Sequence, residues 1–404
     1  MMITKNNITI GYKDSAVGII PEEWEVRRLG EICLTFKSGT TITSQKIRKS
    51  DLYPVYGGNG LRGYTNFYTH DGDYILIGRQ GALCGNINFI KGKAYISEHA
   101  IAVQPNKYNS IEFLRHKLDF WNLNRFSESS AQPGLSVEKL VRYKLAVPPL
   151  EEQKKIAEIL STWDEAIEKQ SKLIEKLELR KRGIMQRLLT GRIRLSGFNT
   201  PWKKIKLGAI GEFDKGIGIP KDQIISSGCK AITYGEIYTK YNYVIKEFTS
   251  YINEETAKES KKISSGAILF AGSGETLKDI GKCVAFIDND IAYAGGDIII
   301  FKPTIDIDNL VLSYILNSPS VIKQKYKYGQ GHSVVHIYQK DLTKIELEVP
   351  SHPEQKAIAE VLTVADNEIA THHKKLDALH QQKHGIMQQL LTGKTRVKIN
   401  NYAK

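Results

Sequence analysis

The sequence predicts an α+β chain in which two β-rich mixed globules are separated by two long helices that pair as an antiparallel coiled coil, a pseudo-twofold dumbbell. Three observations predict it. The phrase "GIMQRLLTG", residues 183–191, returns as "GIMQQLLTG", residues 385–393. The repeat extends backwards without a gap, to "VPPLEEQKKIAEIL" from Val147 and "VPSHPEQKAIAEVL" from Val349, with roughly half of the positions identical, so it is the first organising feature of the chain. Outside the copies the texture changes to short β-type runs divided by Gly, Asn and Asp.

Length and charge agree with this division. At 404 residues the chain exceeds what one hydrophobic core organises. A hydrophobic share of 41% and a charged share of 25% are those of an ordinary globular protein, but the net charge of +13 favours a polyanionic partner. No run approaches about 18 apolar residues, and the opening "MMITKNNITIGYKDSAVGII" lacks an apolar signal core, so no membrane association and a cytoplasmic location are expected. Cys33, Cys84, Cys229 and Cys283 are far apart with no C-x-x-C pair, which predicts reduced packing residues rather than a disulfide framework or zinc knuckle.

The elements follow in order. Residues 1–147 make the first globule with its N-terminal segment, which holds β-type runs such as "DYILIG" and "AYISEHAIAV" and a short helical stretch, "IEFLRHKLDFWN". Residues 148–191 make the first long helix. Residues 192–349 make the second globule, with "GKCVAFI" and "DIIIFKP" as strands, and residues 350–404 the second long helix and tail. The globules open alike, on "EEWEVRRLGEI" and "TPWKKIKLGAI", yet barely resemble one another beyond that.

Each helix carries a 4-3 apolar seam: Ile156, Leu160, Trp163, Ile167, Ile174, Leu177, Ile184 and Leu188 in the first, and Ile358, Leu362, Ile369, Leu376, Leu379, Ile386 and Leu390 in the second. Such a seam needs a second helix, and the nearest candidate is the other copy. Pro148, Pro149, Glu151 and Glu152 punctuate the first start, Ser351 with Glu354 suggests a capping box at the second, and Gly191 and Gly393 supply left-handed ends. Each helix should therefore run about 39 residues, about 58 Å. Gln170 and Lys181, matched by His372 and Lys383, interrupt the seams; the lysines either fix register or snorkel at the seam's edge. Gly183 and Gly385 recur inside helices where glycine is costly, which suggests close approach of another backbone, from the partner helix or from a docked protein.

At "PPLEEQKKIAEIL", "HPEQKAIAEVL" and the doubled "GIMQ(R/Q)LLTG" phrase, the chain resembles the specificity (S, HsdS) subunit of type I restriction-modification enzymes, over essentially its whole length. "YPVYGGNGLRGY", "ILIGRQGALCGNI", "ITYGEIYTKY" and "GAILFAGSGETLKDIGK" carry the same resemblance in the globules. The resemblance implies two target recognition domains, each reading one half of a bipartite double-stranded DNA site, with helices that hold them apart and dock two methyltransferase (M) subunits. Restriction (R) subunits would complete the complex. It also implies no catalysis and no cofactor on this chain: S-adenosylmethionine would belong to M, which methylates a flipped adenine, and ATP with Mg to R.

The residues agree with that division. The only Pro-Pro lies in "VPPLEE", so the (Asp/Asn/Ser)-Pro-Pro-(Tyr/Phe) motif of an amino-methyltransferase is missing, and "FAGSGE" only imitates a cofactor loop. "LLTGKTRV" has Gln388 where a P-loop needs its first glycine. His373, Asp377, His380 and His384 form a stripe beside the seam, matched in the first copy by Ser171, Glu175, Glu178 and Arg182; a solvated or partner-facing flank is expected, and no metal. Donors and acceptors among loop glycines make Asn59, Arg62, Tyr64, Arg79 and Gln80 the base-reading candidates in the first globule. Lys215, Tyr234, Glu236, Ser273, Glu275, Thr276, Gln330 and His332 are those in the second, with Glu236 or Glu275 suited to accept from cytosine. Unlike globules predict an asymmetric site whose halves lie about one helical turn, roughly 34 Å, apart. The rival reading is a coiled-coil scaffold that binds RNA or protein without sequence-specific DNA readout.

Overall fold

A computed structural model describes residues 10–81, 83–127, 134–331 and 334–399. The first globule runs β1 (Glu25–Arg28), β2 (Cys33–Ser38), β3 (Tyr53–Gly57), β4 (Gly60–Thr65), β5 (Tyr74–Gly78), β6 (Ile87–Ile90), β7 (Tyr95–Ile96), β8 (Ala100–Pro105), α1 (Ile111–Phe120) and β9 (Lys144–Val147), and leads into α2 (Leu150–Leu188). The second runs β10 (Lys203–Lys206), β11 (Gly211–Lys215), β12 (Cys229–Ile232), α3 (Tyr234–Thr239), β13 (Ser250–Ile252), β14 (Lys261–Ile263), β15 (Ala267–Ala271), β16 (Cys283–Phe286), β17 (Ala292–Ala294), β18 (Ile298–Pro303), α4 (Asn309–Leu316), α5 (Pro319–Tyr328) and β19 (Glu346–Val349), and leads into α6 (His352–Leu390). The chain forms two compact units, Met1–Lys172 with Lys374–Lys404, and Leu173–His373. Each unit holds one globule and a half of each long helix.

In the first unit, strand order β2–β8–β5–β6 makes an antiparallel sheet, with Ile101 opposite Ile77 and Tyr74 opposite Ile90. Its central strands are apolar on both faces because both faces are covered. Ile75, Ile77, Ile101 and Val103 join Leu114 and Leu118 of α1, while Leu76, Ala100 and Ala102 join Ile96 and Ile90 on the opposite face. This is the period-two alternation of a strand, and each isoleucine so buried contributes about 1.5–3 kcal/mol. A second sheet, β4–β3–β7, sets β3 and β7 parallel with Val55 beside Tyr95, and β1 pairs with β9.

The second unit repeats this plan from a dissimilar sequence. Its order β11–β18–β15–β16 matches β2–β8–β5–β6 strand for strand; β12 and β17 pair parallel, as β3 and β7 do, and β10 pairs with β19. Ile268 and Phe270 again face one core, and Leu269 and Ala271 the other.

Both long helices run 39 residues, as predicted, and pair antiparallel within each unit. In the first unit Ile156 and Leu160 pack with Met387 and Leu390 around Trp24; in the second Met185 and Leu188 pack with Ile358 and Leu362. All of the seam residues are buried or half-buried. The seam lysines form ion pairs with the facing helix: Lys383 Nζ reaches Asp164 Oδ1 at 2.5 Å, and Lys181 pairs with Asp366 while lying over the Tyr243 and Tyr314 rings. Arg115 also donates to Asp164, at 3.0 Å, and Tyr314 donates to Asp366. His116 beside Asp164 is held neutral, its pKa lowered to about 3 by burial and by the Arg115 charge.

The helix starts are anchored by one repeated arrangement. Glu152 is fully buried and accepts from Trp24 Nε1 at 3.0 Å and from Arg396 Nε and Nη2 at 2.6 and 2.9 Å. Glu354 accepts from Trp202 Nε1 at 3.1 Å and from Arg194 Nε and Nη2 at 2.5 and 2.7 Å. The carboxylate of Glu354 therefore serves this anchor, where the sequence suggested a capping box with Ser351. The arginines follow Gly191 and Gly393, whose φ of +65° and +75° end the helices as expected and turn the tails back. Next in sequence, Gln153 Oε1 accepts from Ser110 N and Gln355 Oε1 from Asp308 N, both at 2.8 Å, which holds the N-caps of α1 and α4.

Gly183 and Gly385 do not meet the expectation of close packing within the chain. Both are exposed, and a Cβ on either would meet nothing within 4 Å among the described residues. Of the cysteines, Cys84 and Cys283 are buried, Cys33 and Cys229 half-buried, and all are free. Among the described residues no helix is long and apolar enough to cross a membrane.

Lys117 of α1 is buried and donates from Nζ to Leu391 O at 2.5 Å, capping the end of α6. Burial lowers its pKa to about 8, below the ordinary lysine value, so the folded chain releases this proton before the unfolded chain does. Stability from this group therefore rises as pH climbs from about 8 to about 10.5, by about 3 kcal/mol in all. Urea unfolding of the native chain and Lys117→Met across that window should show the rise in the native chain only; parallel curves would contradict it.

Candidate nucleic-acid interface

At one edge of the first globule, strand ends and glycine turns bring most of the predicted residues together. Asn59 is exposed in the turn between β3 and β4. Beside it, Gly58 lies against the end of β5: a Cβ there would sit 2.7 Å from His99 O and 3.1 Å from the Gly78 Cα. Glycine is needed for that approach. Arg62 is exposed on β4 with its stem against Gly57. Arg79 leaves β5 with its backbone fixed on both sides, N donating to His99 O and O accepting from Leu135 N, both at 2.9 Å. Gln80 is exposed, with Oε1 3.2 Å from His99 Nδ1. Tyr64 stands farther along β4, half-buried, its backbone paired with Arg48.

His99 and Glu98 belong to this edge and escaped the sequence reading. "AYISEHAIAV" reads as one β-type run, but β7 ends at Ile96 and β8 begins at Ala100, with Ser97, Glu98 and His99 turning between them. His99 Nε2 lies 3.2 Å from Glu98 Oε1, so Gln80, His99 and Glu98 form a chain of polar contacts. A polar triplet inside an apolar run was the available signal.

The equivalent edge of the second globule is built from the same strand ends. Lys215 is exposed at the end of β11, and Gly216 N donates to Ile298 O at 2.8 Å. Tyr234 is exposed at the start of α3, just after Ile232, whose carbonyl accepts from Gly295 N at 2.9 Å. Gly272 N donates to Asp297 O at 2.7 Å, tying the loop after β15 to the turn before β18. Asp297 holds φ +60°, a left-handed conformation uncommon outside glycine. Glu275 and Thr276 are exposed on that loop, with Thr276 Oγ1 donating to Asp279 Oδ2 at 2.9 Å. Gln330 is exposed and its backbone pairs twice with His336, which bridges back to Ser273. His332 lies outside the described residues.

Two of the candidates are turned inward. Glu236 is buried at 8% exposure and accepts from Thr233 N and Oγ1, Thr249 Oγ1 and Ser250 Oγ at 2.7–3.0 Å, capping its own helix and tying down the following strand. Its acceptor capacity is spent within the globule. Ser273 is buried with its Oγ 2.9 Å from His336 Nδ1, and its carbonyl accepts from Tyr238 Oη at 3.1 Å. Glu275 remains as an exposed carboxylate of this loop, beside Asp279.

The edges differ in chemistry. The first offers Arg62, Arg79, Gln80 and Asn59, mostly donors; the second mixes Lys215 with Glu275, Gln330 and the phenol of Tyr234. Of the histidine stripe, the His384 ring lies tilted beside Phe120 with centroids 5.9 Å apart, and His373 Nε2 lies 3.7 Å from Glu178, a flank position in each case.

Comparison with known proteins places these features in a group. The family described as "Type I restriction modification DNA specificity domain" matches residues 21–179 and 199–381, one match for each globule with its helix. The chain is 27% identical over 410 residues to the type I restriction enzyme MjaVIII specificity subunit of Methanocaldococcus jannaschii, covering 95% of each. It is 43% identical over 159 residues to the EcoprrI specificity subunit of Escherichia coli, a stretch spanning 38% of this chain and 39% of that one. The crystal structure of an S subunit from M. genitalium superposes with a TM-score of 0.59 at 15% identity, covering 96% of this chain and 98% of that one, a likeness of fold.

Proposed function

This chain belongs to the type I restriction-modification DNA specificity family, and on that premise we propose that its two globules read the two halves of an asymmetric bipartite DNA site while the paired helices set the spacer between them. The observation that carries this reading is the pair of equivalent sheet edges: one strand order, built from two dissimilar sequences, presents unlike sets of exposed polar side chains. A common scaffold with different tips suits two readers of different letters. The proposed base-reading set is Asn59, Arg62, Arg79 and Gln80 in the first globule and Lys215, Tyr234, Glu275, Thr276 and Gln330 in the second, with Arg suited to guanine and Asn or Gln to adenine.

The chain is the specificity subunit and is itself non-catalytic. Adenine methylation with S-adenosylmethionine falls to two M subunits in this reading, and ATP- and Mg-dependent restriction to R subunits. Supporting the docking of two like partners, Gly183 with Gln186 and Gly385 with Gln388 are exposed at matched points of the two helices. Each glycine costs about 1 kcal/mol against alanine, with no neighbour among the described residues that requires it.

A gel shift with the chain and its M subunit tests the reading. Duplex DNA should be retained, with affinity falling steeply as salt rises, because phosphate contacts release counterions. Retention of RNA as strong as that of duplex DNA, or of neither, would favour the scaffold reading instead.

A further inference from the structure

Each edge has two of its candidates, Arg79 and Gln80 or Glu275 and Thr276, on the loop that follows the equivalent central strand, β5 or β15. Each loop ends on a left-handed glycine, Gly85 at φ +87° and Gly281 at φ +68°. At that point each is tied by a polar side chain from an unrelated element. Asn124, on a 3-10 turn at Leu123–Phe126, donates from Nδ2 to Cys84 O at 2.8 Å, and a Cβ on Gly85 would lie 2.4 Å from the Asn124 backbone N. Lys325, fully buried on α5, donates from Nζ to Gly281 O at 2.6 Å. The near ends are tied as well, by the Cys84 thiol to Arg79 O at 3.4 Å in one loop and by Tyr238 Oη to Ser273 O at 3.1 Å in the other.

We propose that Asn124 and Lys325 are positioning residues, each holding one base-reading loop in register with its strand, so that each sets the stringency of one half-site alone. The proposal rests on the two-reader function above. Its physical basis is that a side-chain donor on a loop carbonyl fixes where the loop's own side chains point. A reader 1 Å out of place accepts more than one base, because hydrogen-bond discrimination falls steeply with distance and angle. No residue of either pin faces a base in this account. An amide on a short turn and an ammonium on a helix reach the far ends of equivalent loops, at the carbonyl before the left-handed glycine in one and at the glycine's own carbonyl in the other.

The test is the methylome of cells that carry the M subunit with the native chain, Asn124→Ala or Lys325→Met. The native chain should yield one bipartite motif. Asn124→Ala should relax letters in one half only, raising methylation of single-letter variants in that half about fivefold, the loosening expected from one lost net hydrogen bond. Lys325→Met should relax the other half only. Because Lys325 is buried, Tyr238→Phe serves as the milder variant of the same loop, with the same half affected. Unchanged letters with a lower methylated fraction, or relaxation of both halves by one variant, would overturn the positioning role while leaving the two-reader function standing. Absence of any bipartite motif with the native chain would remove both.

Discussion

Glu152→Ala is expected to destabilise the first unit by about 2–3 kcal/mol, and Glu354→Ala the second by as much, because each removal leaves an indole N–H without its buried acceptor and a half-buried guanidinium without its main partner. The carboxylates are fully buried, each receives both ends of an arginine fork, and each also takes a tryptophan donor. Charge-assisted bidentate bonds of this kind are among the stronger single polar contacts. Glu→Gln at either position keeps an acceptor for tryptophan but loses the charge, and should cost less. Hydrogen exchange localises the effect: Glu152→Ala should raise exchange around Ile156 and Leu390, and Glu354→Ala around Leu188 and Ile358. A loss under about 1 kcal/mol, typical of a surface ion pair, would show that the anchor does not hold the helix starts.

The second large effect concerns the helices as a spacer. Removing seven residues from each helix, 166–172 and 368–374, keeps the heptad phase of both seams and leaves Asp164, Lys181, Asp366 and Lys383 in place. Each helix then shortens by about 10 Å, the rise of seven residues, which is about three base pairs of duplex. The methylated motif should keep the letters of both halves and lose about three base pairs between them. A motif with altered letters, or with its spacer unchanged, would show that the helices do not act as a ruler.

The long helices were legible in the sequence because their signal is local and said twice: a 4-3 apolar rhythm, and a glycine just past the last turn. What holds them was not. Glu152 and Arg396 are 244 positions apart, and Trp24 gave no sign beyond an opening phrase shared with Trp202. Once the structure is known, the matching offsets of Glu152 and Glu354, and of Arg194 and Arg396, make the pairing plain. The common plan of the globules was hidden for a different reason. Sheet pairing is non-local, so the parallel neighbours Val55 and Tyr95, or Ala231 and Tyr293, share no pattern in sequence. The candidate edges were found through glycines, which mark where backbone must pass close to backbone, as at Gly58. His99 was missed because it sits inside an apolar run, and Glu236 looked available because its donors come from Thr233, Thr249 and Ser250, residues with no motif of their own.

If this chain chooses the DNA sequence its complex acts upon, that choice is written in the methylome of a host that expresses the chain with its M subunit. One new adenine-methylated motif is expected, bipartite and asymmetric, with two specified halves about one helical turn apart. A stable complex that leaves no such motif, or one that methylates a continuous site without a gap, would contradict it.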